Sequence, residues 1–367
     1  MSAPGVPQCV GRGGEIAAVR SALATGAAGV PTALIILGDA GMGKSTLLAT
    51  VLPASGDTLV LSAAGDEAET DVDFGVIEQL VRDAPLAGAE RSRFVPPAGT
   101  DPLEAGALLL RAFDELELDR PLVLALDDAH LADAPSLQAL TFAARRLRGD
   151  RVVLLVATRT DGASRLPPGL RRLAGRTGGE LELNGLDTAA VSELVAAVHG
   201  APLPLAAAER LRAHTDGHPL HTRVLLEQLR PGDLLRAGEL PAPRSFSSLV
   251  VGQVAACSDA AQRLVMALSV FAGPAPLADV AAIAGVESPL GAADELSALG
   301  LVTTRAGLGG IAVAFRHSLT RASVYGGLSA SRRTGLHAAA AMRTTGAAAL
   351  HHRHAAATGP DDALARD

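Results

Sequence analysis

The stretch "TALIILGDAGMGKSTLL", residues 32–48, decides the fold. It begins with a short apolar run ending at Gly38, the pattern of a strand covered on both faces. A glycine-rich turn follows, and a helical pattern opens at Lys44. Gly38, Gly43, Lys44 and Ser45 satisfy the spacing G-x-x-x-x-G-K-[ST]. A polyphosphate carries dense negative charge and must be met by many donors at once. Main-chain N–H groups of Gly38, Asp39, Ala40, Gly41, Met42 and Gly43 can turn inward as a nest, because the glycines permit a tight turn. The helix that follows, with Ser45 and Thr46 in its first turn, adds the positive end of its dipole. Lys44 is placed to reach the β- and γ-phosphates, and the Ser45 hydroxyl to meet Mg²⁺. Among 32 basic Lys and Arg residues Lys44 is the single lysine, at a position where a planar guanidinium is a poor substitute. ATP, ADP and Mg²⁺ are the expected ligands.

Outward from this stretch, strand and helix patterns alternate. Strands are expected at 58–63, 121–128, 151–159 and 180–186, with helices at 101–118 and 136–149. Such alternation predicts an α/β fold with a doubly wound parallel sheet. "LVLALDD" ends in paired acids, and ligands collect at the carboxyl ends of parallel strands. Asp127 is therefore the candidate Mg²⁺ ligand. Asp128 is the candidate base for an attacking water. Asp133 suits a helix cap instead, which leaves the pair free. "VATR" closes the next strand, so Arg159 is a candidate sensor of the γ-phosphate.

Beyond residue 187 the pattern turns helical. The expected division is a P-loop nucleotide-binding domain at 1–186, a small helical domain at 187–231, a winged-helix domain at 232–329, and the start of a helical, TPR-like repeat at 330–367. The winged-helix expectation rests on helices near 246–257, 259–271, 276–284 and 291–299. Two short strands joined by "AGLGG" follow them. In "HHRH", His351, His352 and His354 cannot share one helix face. His351 and His354 can meet, but two ligands are few for a metal.

The chain has 367 residues, 48% of them hydrophobic and 2% aromatic, so cores must be built from Ala, Leu and Val. Net charge is −7, and no basic run marks a nucleic-acid footprint. Cys9 and Cys257 fit no metal or redox spacing and read as free thiols. The N-terminus lacks a secretory pattern, and no apolar run reaches membrane-spanning length. The expected location is the cytoplasm.

The ordered blocks "CVGRGGEI", "GDAGMGKSTLL", "LALDDAHLAD", "LLVATR", "TDGHPL" and "FRHSLTRASVYGGL" resemble the signal-transduction ATPases with numerous domains (STAND). The nearest branch is the large ATP-binding regulators of the LuxR type. The likeness runs from about Val10 to Met342. It implies that Val10, Gly11 and Arg12 pack around the nucleotide base, that Pro219 covers the adenine, and that His317 reaches the β-phosphate of ADP. Gly13 stands where the family has an acid, and Leu131 where it has an aromatic. The family continues into helical repeats and a C-terminal helix-turn-helix, so this chain is expected to be truncated before both, and DNA binding is not inherited. The implied function is a slow ATP-hydrolysing switch in transcriptional regulation or signalling. It has an ADP-closed and an ATP-open state, the latter exposing surfaces for self-association or a protein partner. Two alternatives remain: a DNA-binding AAA-type ATPase with its winged helix on duplex DNA, and a chain that binds ATP without turnover.

Overall fold

The computed structural model describes residues 9–52, 57–86, 88–116, 120–147, 151–236, 239–307 and 310–357. The chain divides into two compact units, Met1–Glu193 and Leu194–Asp367, and the helix Thr188–His199 runs across the division.

In the first unit five strands form one parallel sheet: β1 Thr32–Leu37, β2 Leu59–Ala64, β3 Leu122–Asp127, β4 Val152–Thr158 and β5 Gly179–Glu182. Their order is β2-β3-β4-β1-β5. All five lie where the sequence places strands, though β5 is shorter than the expected 180–186. Alternate residues supply two cores. Ile35, Leu61, Leu124 and Leu154 face helices Gly75–Asp83, Pro102–Glu115, Ala134–Ala144 and Pro168–Arg176, through Ile77, Leu109, Leu137 and Leu170. Leu34, Ile36, Val153 and Leu155 face helices Gly13–Ala27 and Lys44–Val51, through Val19, Leu47 and Leu48. A strand buried on both sides must be apolar at every position, which is why β1, β3 and β4 read as unbroken hydrophobic runs. This is the doubly wound arrangement.

The parallel register puts the carboxyl ends of the strands at one edge. Leu37 pairs with Thr158, and Ala64 with Asp127. The loop after β3 is fixed there by its main chain. The Asp127 carbonyl accepts from Gly65 N at 3.0 Å. The His130 carbonyl accepts from Arg165 Nη1 at 2.8 Å, and the Leu131 carbonyl from Thr70 Oγ1 at 3.1 Å. Asp133, 3% exposed, caps the helix Ala134–Ala144 as expected, accepting from Ser136 N at 2.7 Å. It also accepts from Phe74 N and Val76 N at 3.0 and 3.2 Å. One carboxylate thus satisfies the starts of two helices.

The second unit begins with helices Leu205–Thr215, Pro219–Gln228 and Pro231–Leu235. A sequence of helix, strand, helix, helix, strand, strand follows Arg244–Ala255: Asp259–Leu268, β6 Ala275–Pro276, Leu277–Ala284, Pro289–Ala298, β7 Val302–Gly307 and β8 Gly310–Phe315. The strands make an antiparallel sheet in the order β6-β8-β7. The two-residue β6 is too short to show in the sequence. Leu264, Leu268, Val280, Leu296, Val302 and Val313 form the core of this part. Helices Ser318–Gly327, Ala330–Ala341 and Gly346–Ala356 complete the unit. Cys9 and Cys257 are free thiols. Among the described residues no helix is long and apolar enough to cross a membrane.

Asp133→Ala is expected to lower unfolding stability by about 2–4 kcal/mol, since it strands three main-chain donors in the interior. Asp133→Asn keeps one acceptor oxygen and should cost less. Urea unfolding at neutral pH measures both.

Candidate functional site

The turn between β1 and the helix Lys44–Val51 is built on left-handed backbone. Gly41 has φ 78° and Gly43 has φ 93°, a region that L side chains avoid. Gly43 is the N-cap, with no side chain of its own to cap the helix. Lys44 opens the helix and is 6% exposed. Its Nζ donates to the Gly38 carbonyl at 2.7 Å and the Asp39 carbonyl at 3.1 Å. Burial pulls its pKa below the ordinary 10.5; the carboxylates of Asp128 and Asp127 pull the other way, and the Arg159 cation adds to the lowering. Asp39, Ala40 and Ser45 are exposed, Gly41 and Thr46 half-buried, and Gly38 and Met42 buried.

Arg12 supports this turn from behind. It is 5% exposed. Its Nη2 donates to the Met42 carbonyl at 3.2 Å, and its Nη1 is paired with Glu15 at 2.8 Å. Here the acid is Glu15, three residues along, and Gly13 starts the helix. Gly11, with φ 68°, sits so close to Ala190 that a side chain would overlap it: an added Cβ would lie 2.1 Å from the Ala190 Cβ. Val10 is half-buried beside it in sequence.

The acids stand at the same sheet edge. Asp127 ends β3 half-buried, and one of its oxygens accepts the N–H of Asp128 at 2.9 Å. Asp128 adopts a left-handed backbone, φ 43° and ψ 43°. Its side chain is 44% exposed, with Oδ1 at 3.9 Å from His130 Nδ1. Arg159 follows β4 and is exposed. Two further polar groups stand at this edge: Thr158, which closes the "VATR" strand and is expected there from the sequence, and His130, which is not. His130 is 6% exposed and Thr158 fully buried. Among the described residues, both ring nitrogens of His130 and the Thr158 Oγ1 lack a hydrogen-bond partner. Burial first, then the Arg159 cation, hold the His130 pKa below 6.5, against the opposing charge of Asp128. Buried polar atoms without partners cost about 1–3 kcal/mol each. Such atoms at a strand edge suit a polar ligand. "DDAH" held the signal for His130, but only its burial shows that the ring is unpartnered.

Pro219 and His317 belong to the second unit, which brings their two segments together. Pro219 is the first residue of the helix Pro219–Gln228, after the N-cap His218. His317 precedes the helix Ser318–Gly327, and its Nδ1 lies 3.5 Å from Asp216 Oδ2. The His218 and His221 rings stack at 3.9 Å, and His221 meets Phe246 edge-on at 5.0 Å. Burial, then the neighbouring His218 and His317, lower the His221 pKa from 6.5 to about 4.

Residues 8–156 match the AAA ATPase domain family. Among solved structures, the ORC2 protein of Aeropyrum pernix in its ADPNP–ADP complexes is 17% identical with a TM-score of 0.51. The alignment covers 92% of this chain and 96% of that one. This likeness shows a common fold, a parallel P-loop sheet with a helical C-terminal portion. The Walker-type ATPase of Pyrococcus abyssi is 16% identical over 85% of this chain and 95% of that one, with a TM-score of 0.48. A STAND protein with a tetratricopeptide-repeat sensor from Pyrococcus horikoshii is 17% identical, with a TM-score of 0.40. There the match covers 97% of this chain and 49% of that one. No curated protein sequence matches. In the region that matches the AAA ATPase domain family, the glycine turn, Lys44 and the two acids thus lie together at one edge of the sheet.

Arg12→Ala is expected to cost about 1–3 kcal/mol, because it removes a buried charge-assisted contact and leaves Glu15 unpaired. Hydrogen exchange at residues 39–43 should quicken in parallel. A pH effect follows from His221. Between pH 6.5 and about 4 the unfolded chain takes up a proton that the folded chain refuses, so stability falls as pH falls through this window. Thermal melts of His221→Gln should show a shallower slope over the same range.

Proposed function

We propose that the chain binds Mg·ATP at the Lys44 turn and hydrolyses it slowly, as a nucleotide-dependent switch in signalling or transcriptional regulation. The observation that carries this reading is the buried Lys44 ammonium, held by main-chain carbonyls above a left-handed glycine turn. A buried cation whose partners are only neutral carbonyls is poised to exchange them for an anion. The AAA ATPase match over residues 8–156 supports the same conclusion.

The donors fit the nucleotide and its ion. The exposed Ser45 hydroxyl and the half-buried Asp127 carboxylate offer hard oxygen ligands, the set that suits Mg²⁺. When bound, that ion neutralises charge on the β- and γ-phosphates. Main-chain N–H groups of residues 39–43 and the helix start would cradle the phosphates, with Lys44 fixing the β- and γ-oxygens. Asp128, with its partly exposed carboxylate, would orient and deprotonate the attacking water. Arg159 would stabilise charge on the departing phosphate. The neutral His130 ring and Thr158 hydroxyl would complete their hydrogen bonds at the same edge.

The resemblance to STAND regulators supports the switch itself. On that basis ADP favours a closed state through Pro219 and His317, and ATP an open one that engages a second copy or a protein partner in the cytoplasm. The domains would divide at 1–186, 187–231, 232–329 and 330–367, with a winged helix in the third. The helix order around β6, β7 and β8 supports that assignment. A duplex-DNA role draws no support from the helix Pro289–Ala298. It carries Asp294 and Glu295 and no base, and Glu295 accepts from Ser258 N and Oγ at 2.8 and 2.6 Å.

Calorimetry with Mg·ATP tests the site. Lys44→Ala should weaken affinity about tenfold to a hundredfold, the value of a charge-assisted contact to phosphate. Unchanged affinity would end the proposal. Asp128→Asn should keep binding while phosphate release drops by about a hundredfold or more, as expected for a lost general base.

A further inference from the structure

The three C-terminal helices hold a cluster that the nucleotide site does not use. His337 lies on Ala330–Ala341, and His351 and His352 on Gly346–Ala356. One ring nitrogen from each lies within 4.8 Å of the others. Sequence spacing pairs His351 with His354 on one helix. The fold instead supplies the third imidazole from the preceding helix, and His354 is not part of the group. His337 and His352 are 2% and 3% exposed, while His351 is exposed.

We propose that His337, His351 and His352 form a binding site for a borderline divalent cation, Zn²⁺ in the first instance. Imidazole nitrogen is a preferred donor for zinc, and three protein ligands with one open position make a recognised zinc arrangement. The details of the cluster fit that chemistry. His337 Nε2 lies 3.0 Å from the Tyr325 hydroxyl. A proton on Nε2, donated to the phenol oxygen, leaves the Nδ1 lone pair free. A ligating histidine typically has its other ring nitrogen engaged in this way, which fixes its orientation. On the far side, His337 Nδ1 lies 2.9 Å from His352 Nδ1. Without a cation, a single proton must bridge these two nitrogens. With one, both lone pairs turn to the metal, and the nitrogens separate to about 3.3 Å, as tetrahedral bonds of about 2.0–2.1 Å require. Phe271 packs edge-on against His352 at 5.3 Å and backs its ring.

The electrostatics run the same way. Burial, then the neighbouring His352 and His351, bring the His337 pKa down from 6.5 to about 4. Burial and His351 lower His352 as well. Arg333 is the nearby opposing cation, and its guanidinium is engaged with the Leu328 carbonyl at 3.1 Å and the Tyr325 ring at 4.7 Å. The exposed His351 leaves the fourth position to water or an outside ligand. A bound ion would join the helices Ala330–Ala341 and Gly346–Ala356 and stabilise the folded chain by mass action.

The test uses the full chain, free of any histidine tag and stripped with a chelator. Zn²⁺ titration by calorimetry, without nucleotide, should show one saturable site per chain with a dissociation constant of about 10 μM or tighter, and the melting temperature should rise with Zn²⁺. Co²⁺ should give the intense visible absorption of a tetrahedral complex. His351→Ala, at an exposed position, should weaken uptake at least about tenfold without lowering the melting point of the metal-free chain. His354→Ala and Lys44→Ala should leave uptake unchanged. If no one-per-chain binding is seen in that range, or if His351→Ala and His337→Gln bind as the parent does, the cluster is a hydrogen-bonded histidine pair only and the proposal is overturned.

Discussion

An ammonium group kept from water must be surrounded by oxygen, and this requirement organises the first unit. The Lys44 Nζ finds the Gly38 and Asp39 carbonyls at 2.7 and 3.1 Å. Those carbonyls are available only because the chain turns sharply after β1, and the turn depends on left-handed glycines. Its outer bend is held by Arg12, through the Met42 carbonyl. Desolvation favours the neutral amine, and the carboxylates of Asp127 and Asp128 oppose that tendency. The apparent cost of burying Lys44 is therefore what prepares it to meet an anion.

The sheet supplies the rigidity that such a site needs. Each of β1, β3 and β4 is buried on both faces, so the loops at their carboxyl ends start from fixed points. Four main-chain or side-chain contacts fix the loop from Asp127 to Asp133. The Asp133 carboxylate also ties that loop to the helix Gly75–Asp83. Asp128 thus keeps a partly exposed side chain on a well-anchored backbone, the setting that its proposed role as a base would need.

Much of this was legible in the chain itself, and the exceptions share a cause. Continuous apolar runs marked β1, β3 and β4 because burial on both faces leaves no polar position to confuse them. The glycine spacing marked the turn, and the paired acids marked the neighbouring strand end. What escaped depends on contacts between distant residues. The pairing of Arg12 with Glu15 is fixed by the contact of Arg12 with the Met42 carbonyl, 30 residues on. Asp133 could be read as a cap for its own helix, but not as the acceptor for Phe74, 59 residues away. His130 looks ordinary until its burial is known. His337 lies on the helix before the one that carries His351 and His352, so periodicity within one helix could not find it. β6 is only two residues long and is defined by its pairing with Val313.

The scarcity of lysine has a practical side. Acylating reagents that target primary amines have a single side chain to attack, and its nitrogen is folded into the turn at the end of β1. Any adduct, natural or synthetic, on a side-chain amine of this polypeptide must fall on Lys44. Covalent labelling yield thus becomes a direct gauge of how open that turn is, and acetylation there would remove the charge proposed to meet the phosphates.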